Sequence, residues 1–269
     1  LCYINRILNY VSQIVIPFLP SFLYFELCVV LPNVCEEWSL LYCIHYLSAI
    51  FLLTNVVGNL IYGMFTDCSI KGRFLGTPDE ETWTLCASCE SLRPPRAWHC
   101  NICNICILKR DHHCTFFACC VGYYNHRYFI YFTFYIFVSM LYAFYFNLKF
   151  LAKFITWNHG LILAKFIFPL LSFVVDFGEE SLYVFLVVIN VVVGLFSGFL
   201  SLYHFNNILK GRVTPENKLC RKAFLYKQDW KSNIIEVFGA KWYLTWISPF
   251  IISPLPGNGI KWNDNGKRN

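Results

Sequence analysis

The sequence predicts an all-α polytopic membrane protein, with four transmembrane helices and a cytosolic cysteine-rich domain between helices 2 and 3. Three observations predict it: only 14% of the 269 residues are charged, four apolar stretches reach spanning length, and most of the cysteines share one basic loop. A soluble domain carries about 25% charged residues, so this chain lacks the polar surface to cover a water-soluble globule. A 57% hydrophobic and 19% aromatic content excludes a disordered or collagen-like chain. The net charge of +6 is too small to argue for nucleic acid, and no nucleic-acid partner is expected. The first residue is Leu1 rather than Met, so a trimmed N-terminus is expected.

A spanning helix needs roughly 20 mostly apolar residues to cross ~30 Å of hydrocarbon with its backbone self-satisfied. The first candidate runs from about Ile7 to Leu31 and carries Pro17, Pro20 and one acid, Glu26. The second, from about Ser39 to Phe65, has no formal charge. The third, from about Tyr128 to Leu151, holds Lys149 only near its end, and the fourth, from about Ser181 to Tyr203, is rich in Val and Leu. Phe166 to Val175 contains Pro169 and is too short to span, which makes it interfacial or re-entrant. Trp242 to Leu255 mixes aromatics with Pro249 and Pro254 and reads as a segment along the headgroups or packed on the bundle.

Basic residues set the orientation. The loop from Thr66 to Arg127 carries Lys71, Arg73, Arg93, Arg96, Lys109, Arg110 and Arg127, and the tail after His204 carries eleven Lys and Arg. By contrast, Pro32 to Trp38 has Glu36 and Glu37 and no base. The loop from Ala152 to Glu180 sets Lys153 and Lys165 against Asp176, Glu179 and Glu180. The positive-inside rule then places the middle loop and both termini in the cytosol. The expected division is 1–65 for helices 1 and 2, 66–127 for the cysteine-rich domain, 128–205 for helices 3 and 4 with a lumenal loop, and 206–269 for a cytosolic tail.

Eight of the 14 cysteines lie between Cys86 and Cys120. A reducing compartment disfavours disulfides, so this density asks for metal or catalysis. Cys-x-x-Cys turns suit zinc because both thiolates can face one tetrahedral ion. Two overlapping structural sites fit the spacing: Cys86, Cys89, His99 and Cys106 for one, and Cys100, Cys103, His113 and Cys120 for the other. Asp111, His112 and Cys114 are left over. A thiol, an imidazole and a carboxylate can perform nucleophilic catalysis, with His112 taking the thiol proton and Asp111 fixing its tautomer. The competing reading is a zinc module that binds partners and catalyses nothing.

The run Cys86-x2-Cys89-x3-Arg93-Pro94-x-Arg96-x2-His99-Cys100-x2-Cys103-x2-Cys106-x4-Asp111-His112-His113-Cys114-x5-Cys120-x4-Asn125-x3-Phe129 resembles the cysteine-rich domain of the DHHC protein S-acyltransferases (palmitoyltransferases). Weaker likenesses follow at Val213-Thr214-Pro215-Glu216, at Asn233 to Gly239, and at Ser253 to Ile260, which resembles one animal branch. The resemblance implies two structural zinc ions and Cys114 as the acylated nucleophile, with His112 as base and Asp111 as orienter. It also implies palmitoyl-CoA or another long-chain acyl-CoA as donor, and membrane-associated proteins with cytosolic cysteines as acceptors. Golgi or endoplasmic reticulum is the location it suggests. Three positions depart from the family: Thr115-Phe116 stand for Pro-Trp, Cys119 for Asn, and Asp67-Cys68-Ser69 for Asp-Pro-Gly. The alternative these leave open is a zinc-folded membrane scaffold with weak or no turnover. A four-span transporter with a zinc module ranks last. Lys109, Arg110 and the basic tail could meet CoA phosphates, with a solvated or headgroup-facing charge as the competing reading.

A gap-free carry-over from Cys114 puts Ser139 where the family limits pocket depth. A small residue there implies tolerance for chains of about eighteen carbons, roughly 0.8 kcal/mol being at stake per buried methylene. Ser139→Tyr is expected to shift acyl-CoA use toward shorter chains; an unchanged chain-length profile would sink the idea.

Overall fold

The computed structural model describes residues 19, 21–76, 82–155, 159–176, 178–218 and 228–262. Helix α1 (Ser21–Val34) is the described part of the first expected span, whose earlier residues, with Pro17 and Pro20, lie outside the described ones. A π-helical turn, Glu26–Val30, interrupts it. Helix α2 (Leu40–Phe65) follows. Six three-residue strands come next: β1 (Thr84–Cys86), β2 (Ser91–Arg93), β3 (Trp98–Cys100), β4 (Ile105–Ile107), β5 (His112–Cys114) and β6 (Cys119–Val121). The remaining helices are α3 (His126–Phe154), α4 (His159–Ile167), α5 (Pro169–Val175), α6 (Glu179–Leu209), α7 (Thr214–Lys218) and α8 (Trp230–Phe238).

Three of these, α2, α3 and α6, are long and apolar enough to cross a membrane. At 1.5 Å per residue, each exceeds the ~30 Å of hydrocarbon. The short apolar run at Phe166–Val175 is broken as its proline requires: Pro169 opens α5, where a missing amide costs nothing. The expectation of a purely helical chain needs one correction. The cysteine-rich loop forms three antiparallel hairpins, β1–β2, β3–β4 and β5–β6, because its ligand pairs come from facing strands.

The described chain divides into two compact units. One is built from the described residues within 17–56 and 133–201. Its core packs Leu27, Val30 and Leu31 of α1 on Phe146 and Phe150 of α3. Glu26, the acid of the first expected span, accepts a bond from Asn147 Nδ2 at 2.6 Å, so it has a buried partner. Helices α3 and α6 approach closely where a Cβ on Gly198 would lie 2.7 Å from the Phe137 ring. Small residues bring apolar helices together in this way.

The other unit holds Val57–Phe132 and the described residues after Leu202. Here the Trp242–Leu255 segment, expected either along the headgroups or packed on the bundle, packs on protein. Tyr131 bonds Thr245 at 2.9 Å, and Phe250 meets Tyr62 edge-on at 5.9 Å. At its centre lies a buried charge network. Arg96 grips Glu216 through Nε and Nη2 at 2.8 and 3.0 Å and reaches Glu236 at 3.2 Å. Lys109 pairs with Glu236 at 2.5 Å, and the Trp262 ring covers the Arg96 guanidinium at 4.5 Å. Two cations balance two anions, which is the condition for burying them. Burial pushes the Glu236 carboxyl up, but Lys109 and Arg96 outweigh it and hold the group below its ordinary range. Lys109 is therefore neither a phosphate ligand nor a solvated charge.

Arg96→Ala leaves both carboxylates buried with one cation fewer, and is expected to cost about 3–5 kcal/mol. Half-buried Arg93 bonds only a neutral hydroxyl through Nε, that of Thr84 at 2.8 Å, and Arg93→Ala should cost about 0.5–1.5 kcal/mol. Thermal unfolding in detergent reads the contrast, and equal losses would refute it.

Candidate active site and metal centres

Side chains on a strand alternate between faces, and the hairpins use that alternation to sort their ligands. His99 on β3 pairs across the ladder with Cys106 on β4. The next residue, Cys100, points the other way. The first set gathers Cys86, Cys89, His99 and Cys106, and the second Cys100, Cys103, His113 and Cys120, each with its donor atoms within 4.8 Å of one another. These are the two sets the spacing predicts. A tetrahedral ion with ~2.3 Å bonds to sulfur requires sulfurs about 3.8 Å apart. Cys106 and Cys89 stand at 3.8 Å, as do Cys103 and Cys120. The imidazole Nδ1 of His99 lies 3.2 Å from Cys89 Sγ, and that of His113 lies 3.3 Å from Cys103 Sγ. Three thiols and one imidazole at such separations fit zinc.

On β5 the alternation separates the second metal set from His112 and Cys114. His113 pairs with Cys120 on the metal face. His112 and Cys114, one residue to either side, share the opposite face. Asp111, just before the strand, is buried and accepts a 2.7 Å hydrogen bond from His112 Nδ1. That bond fixes the tautomer and leaves His112 Nε2 bare. The other carboxylate oxygen of Asp111 accepts the Thr214 amide at 2.8 Å and its hydroxyl at 3.1 Å. Burial raises the Asp111 carboxyl, but the bond from His112 and the nearness of the His204 and His126 rings reverse the effect and hold it well below the usual range.

Cys114 is buried, which pushes its thiol up to about 11, while the amides of Phe117 and Phe116 pull the opposite way. Cys119 faces Cys114 across the ladder. Its thiol reaches the Gly63 carbonyl at 3.6 Å, and Asn125 Nδ2 lies 3.9 Å away, so packing accounts for it. Phe117 is buried, and a Cβ on Gly63 would stand 2.1 Å from its ring. The exposed Phe116 faces Phe132. The Asp67-Cys68-Ser69 turn is closed by Asp67 Oδ1 accepting the Ser69 amide at 2.8 Å. Cys220, which the basic tail offers as a secondary palmitoylation site or a plain thiol, lies outside the described residues.

Reading the sequence missed two imidazoles. His204, near the end of α6, is buried with Nδ1 3.2 Å from Asp111 Oδ2. His126, at the start of α3, is buried with neither ring nitrogen hydrogen-bonded among the described residues. Both sit in apolar helices, where an ionisable residue is a functional candidate by default. Each lies just outside an expected span, His126 before Tyr128 and His204 after Tyr203, so the apolar runs give no signal for them.

Apolar helices of spanning length, two cysteine–histidine sets able to hold metal, and a thiol, an imidazole and a carboxylate gathered beside one of them fit a membrane-associated acyltransferase. The family model for DHHC palmitoyltransferase matches residues 79–221. The chain is 33% identical to "Probable palmitoyltransferase ZDHHC24" of Mus musculus, over 81% of this chain and 78% of the relative. The protein of the same name from Danio rerio is 35% identical over 83% and 77%, and that from Homo sapiens 33% over 79% and 75%. The chain belongs to the DHHC palmitoyltransferase family.

Elemental analysis of the purified chain is expected to give two zinc ions per molecule. Cys89→Ser and Cys103→Ser should each lose one ion, and the double variant both. Full occupancy in either single variant would overturn the assigned sets.

Proposed function

We propose that this protein S-palmitoyltransferase works through Cys114. Its thiolate attacks the thioester carbonyl of palmitoyl-CoA, the C–S bond to CoA breaks, and CoA leaves as the thiol. The acyl group then passes to a cysteine of a membrane-associated protein, which regenerates Cys114. In each step His112 Nε2 takes the proton of the attacking thiol and gives it to the departing one, from Cys114 to CoA and then from the acceptor cysteine to Cys114. Asp111 holds the imidazole and balances its charge. A thioester exchanged for a thioester changes little in free energy, so positioning and proton transfer carry the rate. Zinc held by the two sets would stabilise the knuckle rather than polarise substrate, since four protein ligands close each site.

The observation that carries this reading is the 2.7 Å bond from His112 to Asp111, on the strand that presents Cys114. The apolar stretches and the basic loops support four spans with the knuckle and both termini cytosolic. On this reading the chain divides at 65, 127 and 205. Residence in the Golgi or endoplasmic reticulum follows from the family resemblance.

Incubation with clickable palmitoyl-CoA in detergent tests the nucleophile. Hydroxylamine-sensitive label is expected on wild type and Cys119→Ser and absent from Cys114→Ser. Label retained in Cys114→Ser would refute the assignment. No label on folded, two-zinc wild type would point instead to a scaffold.

A further inference from the structure

The carboxylate of Asp111 serves more than one imidazole. His204 Nδ1 stands 3.2 Å from Asp111 Oδ2, the oxygen that receives His112, but off the line of a hydrogen bond. The rings of His204 and His112 lie 5.1 Å apart, tilted by 37°. Phe129 sets its ring edge-on to both, at 4.7 Å from His112 and 4.9 Å from His204. Tyr203 closes the outer side of His204 edge-on at 5.0 Å. The His112 ring is thus held by a carboxylate at one corner and by two rings at its sides.

Asp111, His112 and His204 also bring three donor atoms within 4.8 Å. Yet His112 Nδ1 and Asp111 Oδ2 are 2.7 Å apart. Ligands of one tetrahedral ion with ~2.0 Å bonds stand about 3.3 Å apart. The cluster is built for hydrogen bonds rather than for a third ion.

We propose that His204 is a positioning residue for the acyl transfer, acting through Asp111 and the His112 ring. The proposal rests on the Cys114 reading above. Bonds at apo active sites are often misaligned and tighten as the reaction proceeds. His112 can serve Cys114 only while its ring keeps its orientation, so the carboxylate that holds the ring must stay in place. His204 supplies a second donor to the same oxygen, and its ring keeps the imidazole plane turned. No proton leaves His204 in this scheme; it holds geometry.

Single-turnover acylation of the full chain by clickable palmitoyl-CoA, with time and concentration varied, tests the role. His204→Leu is expected to slow acyl-enzyme formation at saturation about tenfold or more, with the half-saturating concentration unchanged. In His204→Asn the amide nitrogen takes the place of Nδ1, and most of the rate should return. In His204→Gln the nitrogen falls near the Nε2 position, and the rate should stay low. In a His112→Ala background, His204→Leu should add no further loss, because residues acting as a unit are non-additive.

Zinc content and melting temperature are measured on every variant. If His204→Leu misfolds, the comparison of the Asn and Gln variants decides. Asn and Gln equally slow, His204→Leu within twofold of wild type, or a loss that adds fully to that of His112→Ala would each overturn the proposal. Label surviving in Cys114→Ser would overturn the Cys114 reading itself. Label lost there, with His204→Leu at full rate, would overturn only the role of His204.

Discussion

Neighbouring residues on a β-strand face opposite ways, and the whole knuckle depends on that constraint. Its strands are only three residues long, so each ligand has one geometry open to it. On β3 the alternation sends His99 and Cys100 to different metal sets. On β5 it sends His113 to metal and turns His112 and Cys114 to the opposite face. A slip of one residue between β5 and β6 would exchange the two faces. The cross-strand pair His113–Cys120 pins the register, and a bound ion would reward only that pairing.

Charge buried in the same unit does a second job. Arg96 and Lys109 come from the cysteine-rich stretch, Glu216 from α7 and Glu236 from α8. None could stay ionised so deeply without the others. Glu216 also accepts the Val213 amide at 3.0 Å, which fixes the start of α7. Thr214, the next residue, is thereby set against Asp111. Asp111 is thus positioned through an ion pair carried by a one-turn helix.

Much of this was legible in the residues. The span expected at Ser39–Phe65 is helix Leu40–Phe65, and that at Ser181–Tyr203 lies inside Glu179–Leu209. Apolar runs announce helices because hydrocarbon leaves the backbone no other way to satisfy itself. The ligand sets were legible because metal chemistry restricts both residue type and spacing. Lys109 was not: a lysine in a basic loop reads as solvated, and its partner Glu236 is remote in sequence. His204 escaped for the same reason. A lone histidine at the end of an apolar run gives no sign of the carboxylate it meets, since only folding makes them neighbours. The hairpins were hidden too, because three-residue strands are too short to show alternation above the cysteine pattern.

Gly63 gives the last turn of α2 an unusual finish. The final carbonyls of a helix have no partner within it. Here the Gly63 carbonyl accepts Asn125 Nδ2 at 3.1 Å and the Cys119 thiol at 3.6 Å, while the bare Cα leaves room for the Phe117 ring. The turn that follows Cys114, with the strand after it, therefore serves as the cap of a hydrophobic helix. Fraying of that helix end and loosening of the turn become one event. At position 119, any side chain able to donate to a carbonyl can hold this cap, and a thiol, though a weak donor, meets that requirement.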